Sequence, residues 1–173
     1  MKSKKVFILT LLIILIPAGC AISEDDPEEK AAAYISAVHD SIYEQTFHDL
    51  NLGILFVYNL KVNQADQRWV RVWLEGYRNG EKIEDFYFPQ LNYGESPREV
   101  DEGKLIFGII DPNGENVSLL LRTASVGSSL IQANEIFKDG LRMGSTANYA
   151  IGTEAIGLEM GETKILAGYR QLA

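Results

Sequence analysis

Residues 104–122 read KLIFGIIDPNGENVSLLLR, which is two apolar runs joined by a turn sequence. In the joining segment, Pro112 and Gly114 stand where a type I turn followed by a left-handed glycine requires them. If Asp111 pairs with Glu115, side chains that alternate along both runs lie on one face of the pair. That face consists of Leu105, Phe107, Ile109, Val117, Leu119 and Leu121. The segment therefore predicts a β-hairpin with one face in the protein core.

The chain before this hairpin has the same two-residue period. Residues 54–62 form one strand candidate, and residues 68–75 form another. In the second candidate, Val70, Val72 and Leu74 alternate with larger and polar side chains, so these three residues are expected to face the core.

A second hairpin is predicted after this strand. Asn79-Gly80 is the strongest short signal for a hairpin turn, and residues 83–88 would form the returning strand. A two-residue turn would pair Trp73 with Phe86, whereas a bulged turn would pair Val72 with Phe86. We predict the bulged turn, because it keeps the apolar residues on one face.

The segments at the two ends of the body are less regular. Residues 26–29 read DPEE, which is a typical helix start, and apolar residues then recur at helical spacing. A short helix is predicted near 27–40. Residues 127–148 fit either a helix that ends at Gly140 or a hairpin that turns at Asp139-Gly140. The tail, 154–172, predicts two strands around Met160-Gly161-Glu162.

Composition limits the fold class and the partners. The chain has 173 residues, a formal charge of −8, 46% hydrophobic residues and one cysteine. One cysteine excludes an internal disulfide and a multi-cysteine zinc site. The acidic balance argues against a nucleic-acid partner. Short strands at regular spacing with Gly-rich turns predict a mainly β protein, an antiparallel β-sandwich of immunoglobulin-like or jelly-roll-like type with a short N-terminal helix.

The N-terminus carries a targeting signal. Lys2, Lys4 and Lys5 precede an apolar run over 6–16, which is too short to span a bilayer, and Pro17-Ala18-Gly19 leads into Cys20. This ending resembles the lipobox of bacterial lipoproteins, and the resemblance covers residues 1–20 only. It implies a signal peptide over 1–19 and lipidation of Cys20, with palmitate among the acyl chains. The protein would then be anchored to the cell membrane on its extracytoplasmic face.

The next residues are predicted to act as a spacer. Residues 20–33 would form a lipidated acidic tether, and residues 34–173 would form a single β-sandwich domain. Removal of 1–19 deletes three lysines, so 16 − 3 = 13 basic side chains face 24 acidic ones, a net charge of −11. Such a body is repelled by anionic headgroups and should stand off the membrane. A calcium-binding cluster within 23–29 is an open alternative.

The strongest candidate for a functional site is an aromatic row, defined here as Trp69, Trp73 and Tyr77. Strand parity puts these rings on the face opposite Val70 and Val72, with Arg71 between them. If the protein has a ligand, such as a glycan or an envelope protein, we expect it to contact Trp69, Arg71, Trp73 and Tyr77. The alternative is that a second layer, from 27–40 or 127–148, covers this face.

Motifs for chemistry are weak in this sequence. The two histidines, His39 and His48, are nine residues apart and would lie on opposite sides of a strand or a helix, so no metal site is predicted. No cofactor is predicted either, because the chain lacks a phosphate-binding glycine loop. The leading interpretation is a non-enzymatic binding module. The alternatives are a hydrolase of envelope polymers that uses paired carboxylates and a structural subunit of an envelope complex.

Overall fold

The computed structural model describes residues 31–112, 114–137 and 145–171. The predicted signal peptide, Cys20 and most of the predicted tether lie outside the described residues. The described chain is mainly β, as predicted, and contains one short helix. In chain order its elements are β1 Ala33–Ala37, α1 Ile42–Asp49, β2 Gly53–Asn63, β3 Trp69–Trp73, β4 Tyr77–Arg78, β5 Glu81–Lys82, β6 Gln90–Gly94, β7 Val100–Ile110, β8 Ser118–Arg122, β9 Ile131–Gln132, β10 Ser145–Tyr149, β11 Ile156–Leu158 and β12 Ala167–Gln171.

The main sheet has six antiparallel strands in the order β11-β1-β2-β7-β8-β9. Its centre is the pair of long strands β2 and β7, which stay in register from Gly53↔Ile110 to Asn63↔Val100. Alternate residues of β2 and β7 are apolar and lie on one face, as the two-residue period predicts. The buried members of this face include Phe56, Tyr58, Leu60, Leu105 and Ile109.

The hairpin over 104–122 is present, and its predicted core face is confirmed. Its register is not the predicted one, because Ile109 pairs with Leu119 instead of Val117. A shift of two residues keeps the same side chains on the same face. The turn is wider because Asp111 has a left-handed φ of 51° and Pro112 and Val117 are buried. Pro112 and Val117 pack into the core and do not extend the ladder.

Two ribbons form a second layer over the core face of the sheet. The ribbon β3-β6 contributes Val70, Val72 and Leu91 to the main core, and the ribbon β10-β12 contributes Tyr149 and Ala167. Their apolar sides pack on the side chains of β1, β2, β7 and β8, which gives the sandwich-like arrangement. A third two-stranded ribbon, β4-β5, lies between β3 and β6 in the chain.

The predicted helix near 27–40 is wrong for the residues described. Residues 33–37 form β1, which pairs with β2 on one side and with β11 on the other. Ile35 and Ala37 are buried on the core face. Pairing in the sheet therefore stabilises this segment more than a solvent-exposed helix would. The helix lies further along, where Ser41 and Glu44 form a capping box.

The ambiguous segment 127–148 contains no helix in its described part. Residues 131–132 form β9, a single turn follows at Ala133–Phe137, and residues 145–149 form β10. The candidate turn at Asp139-Gly140 lies outside the described residues. The two tail strands are confirmed, but they pair with different partners: β11 with β1, and β12 with β10.

Tyr149 joins α1 to the sheet. The ring contacts Phe56 and Tyr58 edge to face, at centroid distances of 5.1 and 5.3 Å. Beyond the end of β1, the Val57 N–H donates to the Tyr149 hydroxyl at 2.8 Å, and this hydroxyl donates to Glu44 Oε1. Burial, together with the hydrogen bond to Glu44, raises the pKa of Tyr149. Through this bridge the helix is fixed to the sheet although none of its own side chains is buried.

Within the described residues, no helix has the length and apolar character needed to cross a membrane.

Candidate functional site

Strand β3 separates an apolar side from an exposed side. Val70 and Val72 point inward and pack against the core. The alternate residues point outward, and the exposed fractions of Trp69, Trp73 and Tyr77 are 65%, 36% and 61%. In the described chain the aromatic row is therefore open to solvent, and Arg71 lies on the same exposed side.

The hairpin beside the aromatic row differs from the prediction. Asn79-Gly80 forms a two-residue turn with φ values of 54° and 84°, and it pairs Tyr77 with Lys82. The predicted bulged turn is wrong, and so is its pairing of Val72 with Phe86. Strand β3 pairs instead with β6, where Val72 faces Leu91 and Trp73 faces Gln90.

The change of partner has a packing cause. Between β5 and β6, the returning chain forms an irregular segment that carries Phe86 and Phe88. The two rings meet edge to face at 4.7 Å and pack against the apolar cluster around Ile109, and the Phe88 ring contacts Gly76. Because the segment that carries these two rings packs against the core, it does not pair with β3. Strand β3 pairs instead with the strand that follows this segment, β6.

Glu75 is the hydrogen-bonding centre of the exposed side. Its carboxylate accepts from Trp73 Nε1 at 3.1 Å, from the Tyr77 hydroxyl at 2.9 Å and from Lys82 Nζ at 3.0 Å. The bond from Lys82 is the largest cause that lowers the pKa of Glu75, and those from Tyr77 and Trp73 add to it. The same contacts raise the pKa of Tyr77 and of Lys82. One carboxylate thus fixes the positions of two rings of the aromatic row.

Trp69 lies over a glycine of the neighbouring strand. Its cross-strand partner is Gly94, and a Cβ added to Gly94 would lie 2.8 Å from Trp69 Cδ2. The indole therefore occupies the space that a side chain at position 94 would fill. With 65% of Trp69 still exposed, the indole rests on the backbone on one side and faces water on the other.

Arg71 lies between the two tryptophans. Its Cζ is 5.3 Å from the Trp73 ring centroid, a cation–π distance, and its Nη2 donates to Gln90 Oε1 at 3.4 Å. Asn92 is its cross-strand neighbour. Among the described residues, no carboxylate lies within 4.0 Å of the Arg71 guanidinium, whereas Lys82 is paired with Glu75.

Sequence reasoning placed the aromatic row correctly on one side of β3 but missed the residues that complete its surroundings. Gln90, Asn92 and Gly94 come from β6, and Lys82 comes from β5. Residues 90–94 alternate around Leu91 and Tyr93, which is a weak strand signal that precedes Gly94 and was available in the sequence.

The two histidines do not come together with other metal ligands. His39 is exposed and its ring lies 4.5 Å from that of Tyr149, while His48 lies on α1 at 3.6 Å from Asp49. Over the described ranges, no three side chains of His, Cys, Asp or Glu are grouped as a metal site requires.

Two small hollows flank Tyr93 beneath the β3-β6 ribbon. Each has room for about one water molecule, and Asp101 lines both. Burial, followed by the charge of Asp101, raises the pKa of Tyr93 to about 12. Both hollows are too small for a sugar ring.

Comparison of the whole chain with protein-family models, with curated proteins and with solved structures gives no match.

Proposed function

We propose that this protein is a lipid-anchored, extracytoplasmic binding module of the bacterial cell envelope that holds a saccharide chain on its aromatic row. The observation that carries this proposal is the exposure of two indoles on β3, a strand whose other side packs on the core, with the exposed Tyr77 ring following on β4. Large aromatic side chains dominate contact energies at binding surfaces, and an exposed group of them is typical of an interaction site.

The groups beside the rings suit a saccharide. A sugar ring presents C–H groups on its faces and hydroxyls around its edge, so it needs a flat apolar surface bordered by donors and acceptors. Trp69 offers the flat surface, and the side chains of Gln90, Asn92 and Arg71 offer amide and guanidinium groups at its border. Glu75 fixes Trp73 and Tyr77 before any ligand binds, which lowers the entropy lost on binding.

The spacing of the rings favours a chain over a single sugar. Trp69 and Trp73 are four residues apart on one strand, which corresponds to about 13 Å between their Cα atoms. One sugar ring cannot contact both indoles at that separation, so the aromatic row fits an extended oligosaccharide that lies along β3.

The proposed anchor is compatible with this position. Arg68 Nη1 donates to the Ala32 carbonyl at 3.0 Å and to the Asn63 carbonyl at 2.9 Å, so the start of β3 is held close to the first described residues. The aromatic row therefore begins next to the point where the tether from Cys20 would join the domain. A polymer close to the membrane surface would be within its reach.

The site is tested with purified cell-wall glycans in affinity electrophoresis. We expect Trp69→Ala and Trp73→Ala each to weaken retention about tenfold, because each removes a ring from the contact surface. Tyr43→Ala is the matched control, since Tyr43 is an exposed ring on α1 and lies outside the aromatic row. Equal retention of all three variants and the wild type would remove this site from consideration. Release of soluble fragments by the wild type would favour the hydrolase alternative.

The anchor is tested separately in cells. Labelled palmitate should enter the wild type and not Cys20→Ala, and only the wild type should sediment with membranes after a salt wash. If the variant stays with membranes and carries label, the proposed attachment at Cys20 is wrong.

A further inference from the structure

We propose that Arg71 selects saccharides that carry a carboxylate, so that the ligand of the aromatic row is an acidic oligosaccharide such as a uronic-acid polymer. This inference rests on the proposed function and adds the chemical class of the ligand. It depends on the charge state and the position of one guanidinium between two exposed rings.

The hydrogen-bonding capacity of Arg71 is mostly unused. A guanidinium has five N–H donors, and in the described chain Arg71 makes one long bond, the 3.4 Å contact with Gln90. No described carboxylate lies within 4.0 Å of it. The other cation of this surface, Lys82, has its charge balanced by Glu75. Arg71 is therefore the uncompensated positive charge on the exposed side of β3.

The position of Arg71 matches the edge of a stacked sugar. Alternate residues of a strand lie about 7 Å apart, so a ring on Trp69 has its edge near the Arg71 side chain. A uronic acid carries its carboxylate at that edge. Two parallel N–H···O bonds from a guanidinium match the two oxygens of a carboxylate.

Contacts behind Arg71 keep it on this side of the ribbon. The Trp73 ring lies 5.3 Å from its Cζ, and the indole N–H of Trp73 is held by Glu75. A stacked guanidinium keeps its N–H edges free for a ligand. The Arg71 guanidinium, which would bind the ligand, is thus supported by a series of contacts that runs through Trp73 and Glu75 to Lys82.

The net charge of the protein further limits the class of acidic saccharide that can bind. The net charge is −8 for the full chain and −11 after removal of 1–19, and it repels polyanions at long range, so the acidic ligand is selected by local contact and not by electrostatic steering. A saccharide with a carboxylate on alternate rings suits this surface better than a densely charged polymer.

The experiment compares a hyaluronan hexasaccharide, which has carboxylates on alternate rings, with its carboxyl-reduced neutral form. Binding is measured by titration calorimetry at physiological ionic strength. We expect the wild type to prefer the acidic form about fivefold, the upper range for an exposed ion pair. Arg71→Gln should abolish this preference, and Arg71→Lys should keep part of it because it retains the charge but not the fork. Arg78→Gln is the matched control, since Arg78 is an exposed arginine of β4 that does not share the side of Tyr77.

The outcomes separate the two proposals. If the wild type and Arg71→Gln bind both forms equally, and Trp73→Ala loses both, the inference is overturned and the aromatic row remains the binding site. If Arg78→Gln also loses the preference, the selectivity belongs to general surface charge and the inference is again overturned. If neither form nor cell-wall glycan binds the wild type, both proposals fail.

Discussion

Replacing Tyr149 by phenylalanine should destabilise the domain far more than the loss of one hydroxyl from the surface. The ring contacts with Phe56 and Tyr58 are retained in the variant, so the change isolates the hydroxyl. That hydroxyl accepts from the buried Val57 N–H and donates to Glu44. An unpaired buried N–H costs about 1–3 kcal/mol, and a lost bond to a carboxylate costs about 1.5–3 kcal/mol.

The two costs are not fully additive. Glu44 keeps its bonds from Ser41, and it is only partly buried, so water replaces part of what is lost. We expect Tyr149→Phe to lower the free energy of unfolding by about 2–3 kcal/mol. With an m-value of about 2 kcal/mol per molar urea, the midpoint of unfolding should fall by about 1–1.5 M.

Urea denaturation followed by circular dichroism measures this shift, with Tyr43→Phe as the exposed control. Glu44→Gln keeps the capping geometry and completes a double-mutant cycle with Tyr149→Phe. A coupling energy near zero, or a midpoint for Tyr149→Phe equal to that of the control, would refute the role given to the hydroxyl bridge.

Three further changes have defined outcomes. Acidification should release Trp73 and Tyr77 from Glu75. Because the pKa of Glu75 is lowered, its contacts stabilise the fold above the ordinary glutamate pKa of 4.5 and are lost as the pH falls further. Tryptophan fluorescence should therefore change below about pH 4.5 in the wild type and not in Glu75→Gln. Alkali should destabilise the domain above about pH 10. The pKa values of Tyr58, Tyr93 and Tyr149 are raised, so these tyrosines keep their protons to higher pH in the folded state than in the unfolded state. Absorbance should show them ionising together with unfolding, and ionisation in the folded state near pH 10 would contradict this. Gly53→Ala should lower the free energy of unfolding by about 3 kcal/mol, since φ is 138° and a Cβ would lie 2.0 Å from the Ile109 carbonyl oxygen. Gly80→Ala should lower it by about 1 kcal/mol, since φ is 84° and no atom lies within 4 Å of the added Cβ. Equal unfolding midpoints for the two variants would contradict the steric argument.

Local patterns in the sequence predicted the strands that carry strong alternation. The faces of β2, β3, β7 and β8 follow from apolar residues at every second position, and the turn at Asn79-Gly80 follows from its dipeptide. Register was less predictable, because a shift of two residues leaves the faces unchanged. The burial of Pro112 and of Val117 decided the register of one hairpin, and neither is visible from the turn motif alone.

Non-local pairing explains the larger error. Ala33, Ile35 and Ala37 alternate, but two alanines give a weak signal, and the apolar residues from Ala31 to Ile42 also fit a helix. The strand forms because β2 and β11 supply partners on both sides. Tertiary packing was also not predictable for the aromatic row. Strand parity grouped its rings on one side, but only the packing of β3 as the outer layer shows that this side faces solvent.

The place of β1 in the main sheet determines when this protein can fold. Ala33 pairs with Leu158, so one of the first strands to be synthesised has its outer neighbour among the last. As the chain is synthesised, the N-terminal half emerges with this sheet edge unpaired until the final residues follow. Such high contact order slows folding and leaves strand edges open to aggregation, so newly synthesised chains are protected only once the whole polypeptide has been released.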